Sequence, residues 1–183
     1  MKSLQGCLLI AVPTLVDPNF FRSVILLVQH TDEGALGLIL NRPSKTTIRE
    51  AWEQVHPSPC AHDEPLHLGG PCQGPLMAVH NLPIWSDEQV LGDIHFSASS
   101  DQLEHLVAAE DALIKFFIGY AGWGAGQLEQ ELQVGSWETL QGGAKHIFSA
   151  DPELWERAHR DVAEARFLSA LNIKHRPDDP SMN

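Results

Sequence analysis

Positive charge is scarce in this chain. Twelve Lys and Arg stand against 24 Asp and Glu, a formal net charge of −12 with the ten His neutral. Such an acid excess repels phosphate backbones and anionic headgroups, which counts against nucleic-acid or membrane-surface binding. Cysteine is scarce too. Cys7, Cys60 and Cys72 are odd in number and lack C-x-x-C spacing, as expected of a reducing compartment. No apolar run approaches the ~18 to 20 residues that cross a bilayer. The Met1 to Val16 start carries one Lys and no small-residue cleavage site, so the expected location is cytoplasmic, with no membrane partner. Walker, dinucleotide-binding, G-x-S-x-G and helix-turn-helix patterns are all missing, so no motif names a reaction.

What is there is a chain of 183 residues, 43% apolar and 20% charged. At this size roughly 70% of the unfolded surface is buried, and no disulfide or metal is needed to fold. Residues 1–175 are assigned to one domain, and 176–183, with Pro177 and Pro180 among acids, to a disordered tail.

Cys7 to Val12 reads as a buried strand stopped by Pro13. Phe20 to His30 is a second strand, turned by Thr31-Asp32-Glu33-Gly34 into a third at residues 35 to 41, which makes a hairpin. Arg42-Pro43-Ser44 breaks that strand, and the capping box Thr47-x-x-Glu50 opens a short helix. Residues 57 to 75, rich in Pro and Gly, read as one long loop. Leu76 to Leu82 and Val90 to Phe96 read as strands, and Ser99-x-x-Gln102 opens another helix. Ala112 to Tyr120 is a further strand, after which the glycines between Gly119 and Gly126 predict a tight turn feeding a helix at Gln127 to Val134. Strands are expected near Trp137 to Leu140 and at Lys145 to Phe148. Asp151 then caps a helix with Pro152 at its first position. Its stripe is Leu154, Trp155, Ala158 and Val162, continued by Phe167, Leu168 and Leu171. Early hairpins and uneven alternation favour a mixed α+β fold over a doubly wound parallel one.

Several residues suggest chemistry. Cys60, His62, Asp63, Glu64 and His67 are metal-ligating types, but without the spacing of a preformed site, so no metal and no cofactor are assigned. Gly69-Gly70-Pro71 lets backbone approach a ligand or another chain closely. The Gly122 to Gly126 turn, with Trp123 as a stacking surface and Gln127, Glu129 and Glu131 in the following helix, offers N–H groups to a flat or anionic ligand. Arg22, placed mid-strand in an apolar run, predicts an acidic partner from outside the hairpin. Ser23 and His30 with some acid imitate a hydrolase triad, without its elbow.

These blocks resemble the YqgE/AlgH family of small bacterial proteins. The likeness runs through Leu4-x-Gly6-x-Leu8-Leu9-Ile10-Ala11-x-Pro13, Asp17-Pro18-x-Phe20-x-Arg22-Ser23-Val24-Ile25, His30, and Gly34-Ala35-x-Gly37-Leu38-Ile39-Leu40-Asn41-Arg42-Pro43. It resumes at Gly69-Gly70-Pro71 and at Gly119-Tyr120-Ala121-Gly122-Trp123-x-x-x-Gln127-Leu128-Glu129-x-Glu131, so it spans about Lys2 to Trp155. The resemblance implies a bifurcated, partly barrel-like sheet flanked by helices and no established catalytic activity. It also brings a label of transcriptional regulator, which the charge restricts to action through protein contacts.

The expected function is therefore binding of a small ligand or a protein partner without catalysis. The expected cleft joins Asn41, Arg42, Gly69, Gly70, Pro71, Tyr120, Gly122, Trp123, Gln127 and Glu129, with Arg22 and His30 beneath. The alternative is a hydrolase or transferase in the same cleft, with His30 or Glu129 as general base and Arg22 or Arg42 holding an anion.

Overall fold

Two runs of branched apolar residues, β1 (Cys7–Ala11) and β2 (Val24–Thr31), pair antiparallel in the computed structural model, which describes residues 3–170. β2 turns at Thr31 to Gly34 into β3 (Gly34–Ile39), the expected hairpin. β2 starts later than the Phe20 reading because the preceding residues fold into turns. The Phe20 and Phe21 amides bond the Asp17 carbonyl, and Arg22 takes a left-handed φ of 51°. Pro43 begins β4 (Pro43–Thr47) instead of ending the sheet; an edge strand tolerates a missing N–H. The Thr47–Glu50 capping box is formed and opens α1 (Ile48–Glu53).

Residues 57 to 75 are not one loop: they contain β5 (Pro65–Leu68) and the start of β6 (Cys72–His80). The Val90 to Phe96 reading divides into a hairpin of β7 (Glu88–Leu91) and β8 (Ile94–Ser97), because Gly92 turns the chain with φ 50°. α2 (Ser100–Ala108) starts after Ser99, whose hydroxyl bonds Asp87 instead of capping the helix.

The largest correction concerns β9 (Ile114–Gly124), which runs straight through Gly119, Gly122 and Gly124; the turn is confined to Ala125 and Gly126, before α3 (Gln127–Gln133). Glycine here serves a close crossing of strands. A Cβ on Gly69 would lie 2.2 Å from the Gly119 carbonyl oxygen, and one on Gly70 would lie 2.2 Å from the Tyr120 carbonyl carbon. β10 (Trp137–Gln141) is as expected. Lys145 to Phe148 is not a strand: the Ile147 and Phe148 amides bond the Gly143 and Ala144 carbonyls and wind α4 (Ala144–Ile147). α5 (Leu154–Ala170) buries Leu154, Trp155, Ala158 and Val162, but Phe167 is exposed. Leu171 and the 176–183 tail lie outside the described residues.

The strands join in the order β10-β1-β2-β3-β9-β6-β8-β7, with β4 and β5 branching off. One edge of β9 pairs with β6. Its other edge takes parallel β5 at Phe117 and Ile118 and antiparallel β3 from Ala121 to Gly124, so the sheet splits there. Successive side chains point to opposite faces of a strand. Leu8, Ile10 and Leu26 accordingly meet α5 on one face, while Leu9, Ile25 and Leu27 meet Trp123, Leu128 and Trp137 on the other. Burial on both faces explains the unbroken apolar runs. A third cluster seats α1 and α2 on β6 and β9 through Trp52, Leu106, Ala78 and Phe116. The result is a mixed α+β single domain, a curled and largely antiparallel half-barrel sheet with five helices among the described residues.

Candidate functional site

The residues expected to share one cleft fall into three groups. In the first, the Asn41 amide ties the hairpin to the 17–22 turn, accepting from the Val24 N–H at 2.9 Å and donating to the Arg22 carbonyl at 2.8 Å. The Arg42 guanidinium reaches the Pro18 and Phe21 carbonyls. Arg22 has its acidic partner outside the hairpin, Glu156 of α5 at 3.5 Å, and lies over the Trp155 ring. Its side chain is 57% exposed, however, so the pair is a weak surface contact rather than a buried cationic floor.

In the second group Gly69, Gly70 and Pro71 cross β9 beside Tyr120 and Gly122. The Gly69 N–H donates to the Ile118 carbonyl, and its own carbonyl accepts from Ile39. In the third, Trp123 is 6% exposed and donates through Nε1 to Glu131 Oε2 at 2.9 Å; Trp137 Nε1 donates to the same oxygen at 2.8 Å. Gln127 bonds Glu131 and the Gly124 N–H. His30 accepts the Leu4 N–H at Nδ1 (2.8 Å), which puts the ring hydrogen on Nε2, donated to Glu129 at 2.8 Å. Both ring nitrogens are thus engaged. Glu129's own backbone N–H and then His30 hold its carboxyl below the usual range.

A different place sets a buried lysine and a histidine beside empty space. A cavity of about 280 Å³ lies where β3 parts from β9. Leu40 and Asn41 after β3, Pro43, Pro65 and His67 of β4 and β5, Ile114 to Phe116 of β9, and Phe148 to Pro152 enclose it. Lys115, in the middle of an apolar strand and 8% exposed, extends into it. Its Nζ donates to the Ser149 carbonyl at 2.8 Å and the Leu40 carbonyl at 3.3 Å. An ammonium has three donors, so one is left over. Burial pulls the Lys115 pKa down to about 8. His67 is brought to about 4, first by burial and then by the nearby Lys115 charge, and its buried Nδ1 has no hydrogen-bond partner. Glu64 and Asp151 also line the cavity; Asp151 is held by Arg157 at 2.8 Å. Of the residues expected in the cleft, Asn41 alone lines this cavity; Gly70 and Pro71 line a separate, open depression. Lys115 was missed, although a cation inside the run ALIKFFIGY is the signal that drew attention to Arg22, and His67 was weighed only as a metal ligand.

Two other clusters only resemble active sites. His80 Nδ1 accepts the Leu82 N–H, so Nε2 donates to the Ser97 hydroxyl, which itself donates to the Trp85 carbonyl. That serine is wholly buried and its proton is committed. The Cys60 thiol donates to the His62 carbonyl while the His62 ring faces Glu64 and the Leu106 carbonyl. Among the described residues no group of three or more His, Cys, Asp and Glu is placed to hold a metal ion, and no helix is long and apolar enough to cross a membrane.

The fold and cavity define a class of protein: a one-domain α+β half-barrel with a split sheet. Residues 8–165 match the AlgH-like family (DUF179), and the chain belongs to it. It is 37% identical over 190 residues to a UPF0301 protein of Chlorobium luteolum, covering 97% of this chain and 94% of that one. A UPF0301 protein of Streptomyces avermitilis is 36% identical over 195 residues, covering 100% and 97%. The solution structure of the AlgH protein from Pseudomonas aeruginosa superposes with a TM-score of 0.72 at 33% identity over 96% of both chains. The crystal structure of DIP2367 from Corynebacterium diphtheriae shares the fold at TM-score 0.72 and 22% identity, over 88% of this chain and 87% of that one.

Proposed function

We propose that this protein binds a small molecule with an apolar body and one hydrogen-bond-accepting end, seated in the Lys115 cavity. The observation that carries the reading is a buried lysine with a spare donor, beside His67, in a space walled by Leu40, Phe116, Phe148 and prolines. A buried donor without a partner is costly, and a ligand that accepts from the Lys115 ammonium removes that cost. The volume, about 280 Å³, is at the small end of ligand sites and suits roughly a dozen heavy atoms. The acid excess of −12 argues that the ligand is not a nucleic acid.

Nuclear magnetic resonance titration with benzoate and with hexanoate tests this. Shifts should concentrate at Lys115, His67, Phe116 and Phe148, saturate at about millimolar ligand or below, and vanish in Lys115→Met. Absence of saturable shifts, or shifts centred on the Tyr120 to Gln127 segment, refutes the reading. Native mass spectrometry of protein from its host then identifies the natural occupant.

A further inference from the structure

We infer that the occupant of this cavity carries a carbonyl carbon, and that Lys115 captures it as a reversible imine. This rests on the cavity reading above and narrows it from any acceptor-bearing molecule to small aldehydes and reactive ketones. The geometry accommodates the neutral amine as well as the ammonium: two backbone carbonyls take two of the three directions at Nζ, and the third holds a spare N–H in one form and a lone pair in the other. An uncharged Nζ has two N–H bonds and one lone pair in a tetrahedral arrangement. The Leu40 and Ser149 carbonyls occupy two directions, at 3.3 and 2.8 Å, and these are the two that N–H bonds take. The lone pair is then left in the third direction, in which Nζ has no hydrogen-bond partner among the described residues. A lysine whose ammonium needed holding would gain from a carboxylate; of the two lining the cavity, Asp151 is bonded to Arg157 at 2.8 Å and the largely exposed Glu64 lies 3.6 Å from His62.

The step balances without a co-reactant. The lone pair attacks the carbonyl carbon, the C=O π electrons move to oxygen, and a proton passes from nitrogen to that oxygen to give a carbinolamine. Its hydroxyl takes up a proton from solvent and departs as water, the nitrogen lone pair forms the C=N bond, and the iminium then returns its remaining N–H proton to solvent. His67 lines the same space, and its neutral ring is the side chain placed to hydrogen-bond that hydroxyl. The apolar walls limit the water that would drive the reaction back. The depressed pKa of about 8 for Lys115 agrees with the geometry: at pH 7 the free-amine fraction exceeds that of an ordinary lysine by roughly two orders of magnitude. The titratable groups lining the cavity are His67 on β5, Glu64 ahead of it, and Asp151 before α5.

The test is reductive trapping on the full chain. Protein is incubated at pH 7 with benzaldehyde and cyanoborohydride, and the labelled lysines are mapped by peptide mass spectrometry. Hydride addition to the imine carbon leaves a secondary amine, heavier than lysine by the aldehyde less one oxygen. Lys115 should be labelled at least tenfold faster than exposed Lys45, and benzoate should slow it in proportion to its occupancy of the cavity. Lys115→Arg should lose that label and leave the Lys45 rate unchanged. Lys115 labelling at the Lys45 rate, while benzoate still shifts the cavity resonances, overturns the imine and leaves the binding reading standing. Fast labelling that saturating benzoate does not slow also overturns the proposal, since the amine would then react from outside the cavity. If neither benzoate binding nor Lys115 labelling is seen, both readings fall.

Discussion

Truncating Trp123 to alanine decides whether the glycine-rich block is scaffold or site. The indole is 6% exposed. It stacks on Phe20 at 6.2 Å between centroids and meets Trp137 edge-on at 6.1 Å. Removing a buried Trp costs about 3–5 kcal/mol through lost transfer energy and the cavity left behind. The aromatic pairs add about 0.5–1.5 kcal/mol, partly overlapping with that figure. The lost hydrogen bond adds little, because Glu131 Oε2 keeps the Trp137 N–H and Oε1 keeps Gln127. The expected loss for Trp123→Ala is therefore about 4 kcal/mol, which in a chain of this length lowers Tm by roughly 8–16 °C. Urea unfolding followed by circular dichroism measures the first quantity and a thermal melt the second. Trp123→Phe, which keeps a ring but drops the N–H, should lose less than half as much. A loss below about 1 kcal/mol in Trp123→Ala would mean that Trp123 is not core. Trp123 and Gln127 would then return as ligand-contacting candidates.

Gly69→Ala, whose Cβ would lie 2.2 Å from a β9 carbonyl oxygen, should destabilise by at least about 2–3 kcal/mol. Gly126→Ala, left-handed but facing open space, should cost about 1–2 kcal/mol; equal losses in urea titrations would refute the crossing argument. Burial, and then the neighbouring His95, hold His80 down at about 4 against an ordinary 6.5. The stability contributed by its neutral form is full above pH 6.5 and is lost as pH falls through about 4. His80→Gln should show a flatter stability profile across that window, and matching slopes would refute it. Lys115, lowered from 10.5 to about 8 by burial, has the same sign at higher pH: the unfolded chain binds more protons between those values. Wild type should gain stability relative to Lys115→Met as pH rises from about 8 to 10.5, and a constant difference would refute it.

Much of the scaffold was legible in the sequence for local reasons. The β2–β3 hairpin has its turn residues, α1 its capping box and α5 its apolar stripe, and each signal acts within a few residues. The failures have a common origin in longer-range contacts. Gly119, Gly122 and Gly124 read as a turn because glycine frees the backbone, yet all three lie within β9, and at Gly119 glycine is required by the 70–72 segment pressing on that strand. β5 was invisible among prolines because its hydrogen bonds come from β4 and β9, far off in sequence. Lys145 to Phe148 suits a short strand by composition, but no strand among the described residues pairs with it, and the backbone satisfies itself as a turn of helix. The residues of the expected cleft are distributed for the same reason: they come together along the chain and through strand pairing, while their side chains end up bonded within three separate groups.

The same rule, applied to two cations, shows where the site comes from. A charge in an apolar run must find a partner or turn outward. Arg22 turned outward, because the 17–22 turn ends before β2 begins and leaves its guanidinium over Trp155 at the surface. Lys115 had no such exit, since β9 is hydrogen-bonded to β6 along that stretch and its neighbours Phe116 and Phe117 are buried on opposite faces. It kept its amine inside by using two backbone carbonyls that the fold supplies. One of them, Leu40, follows the end of β3, where the paired strand departs from β9. That departure is possible only because Gly69 passes close enough to carry a hydrogen bond to each side, to Ile118 and from Ile39. The glycine that reads as a ligand contact in the sequence thus acts one step earlier: it holds the sheet open, and the opening holds the lysine.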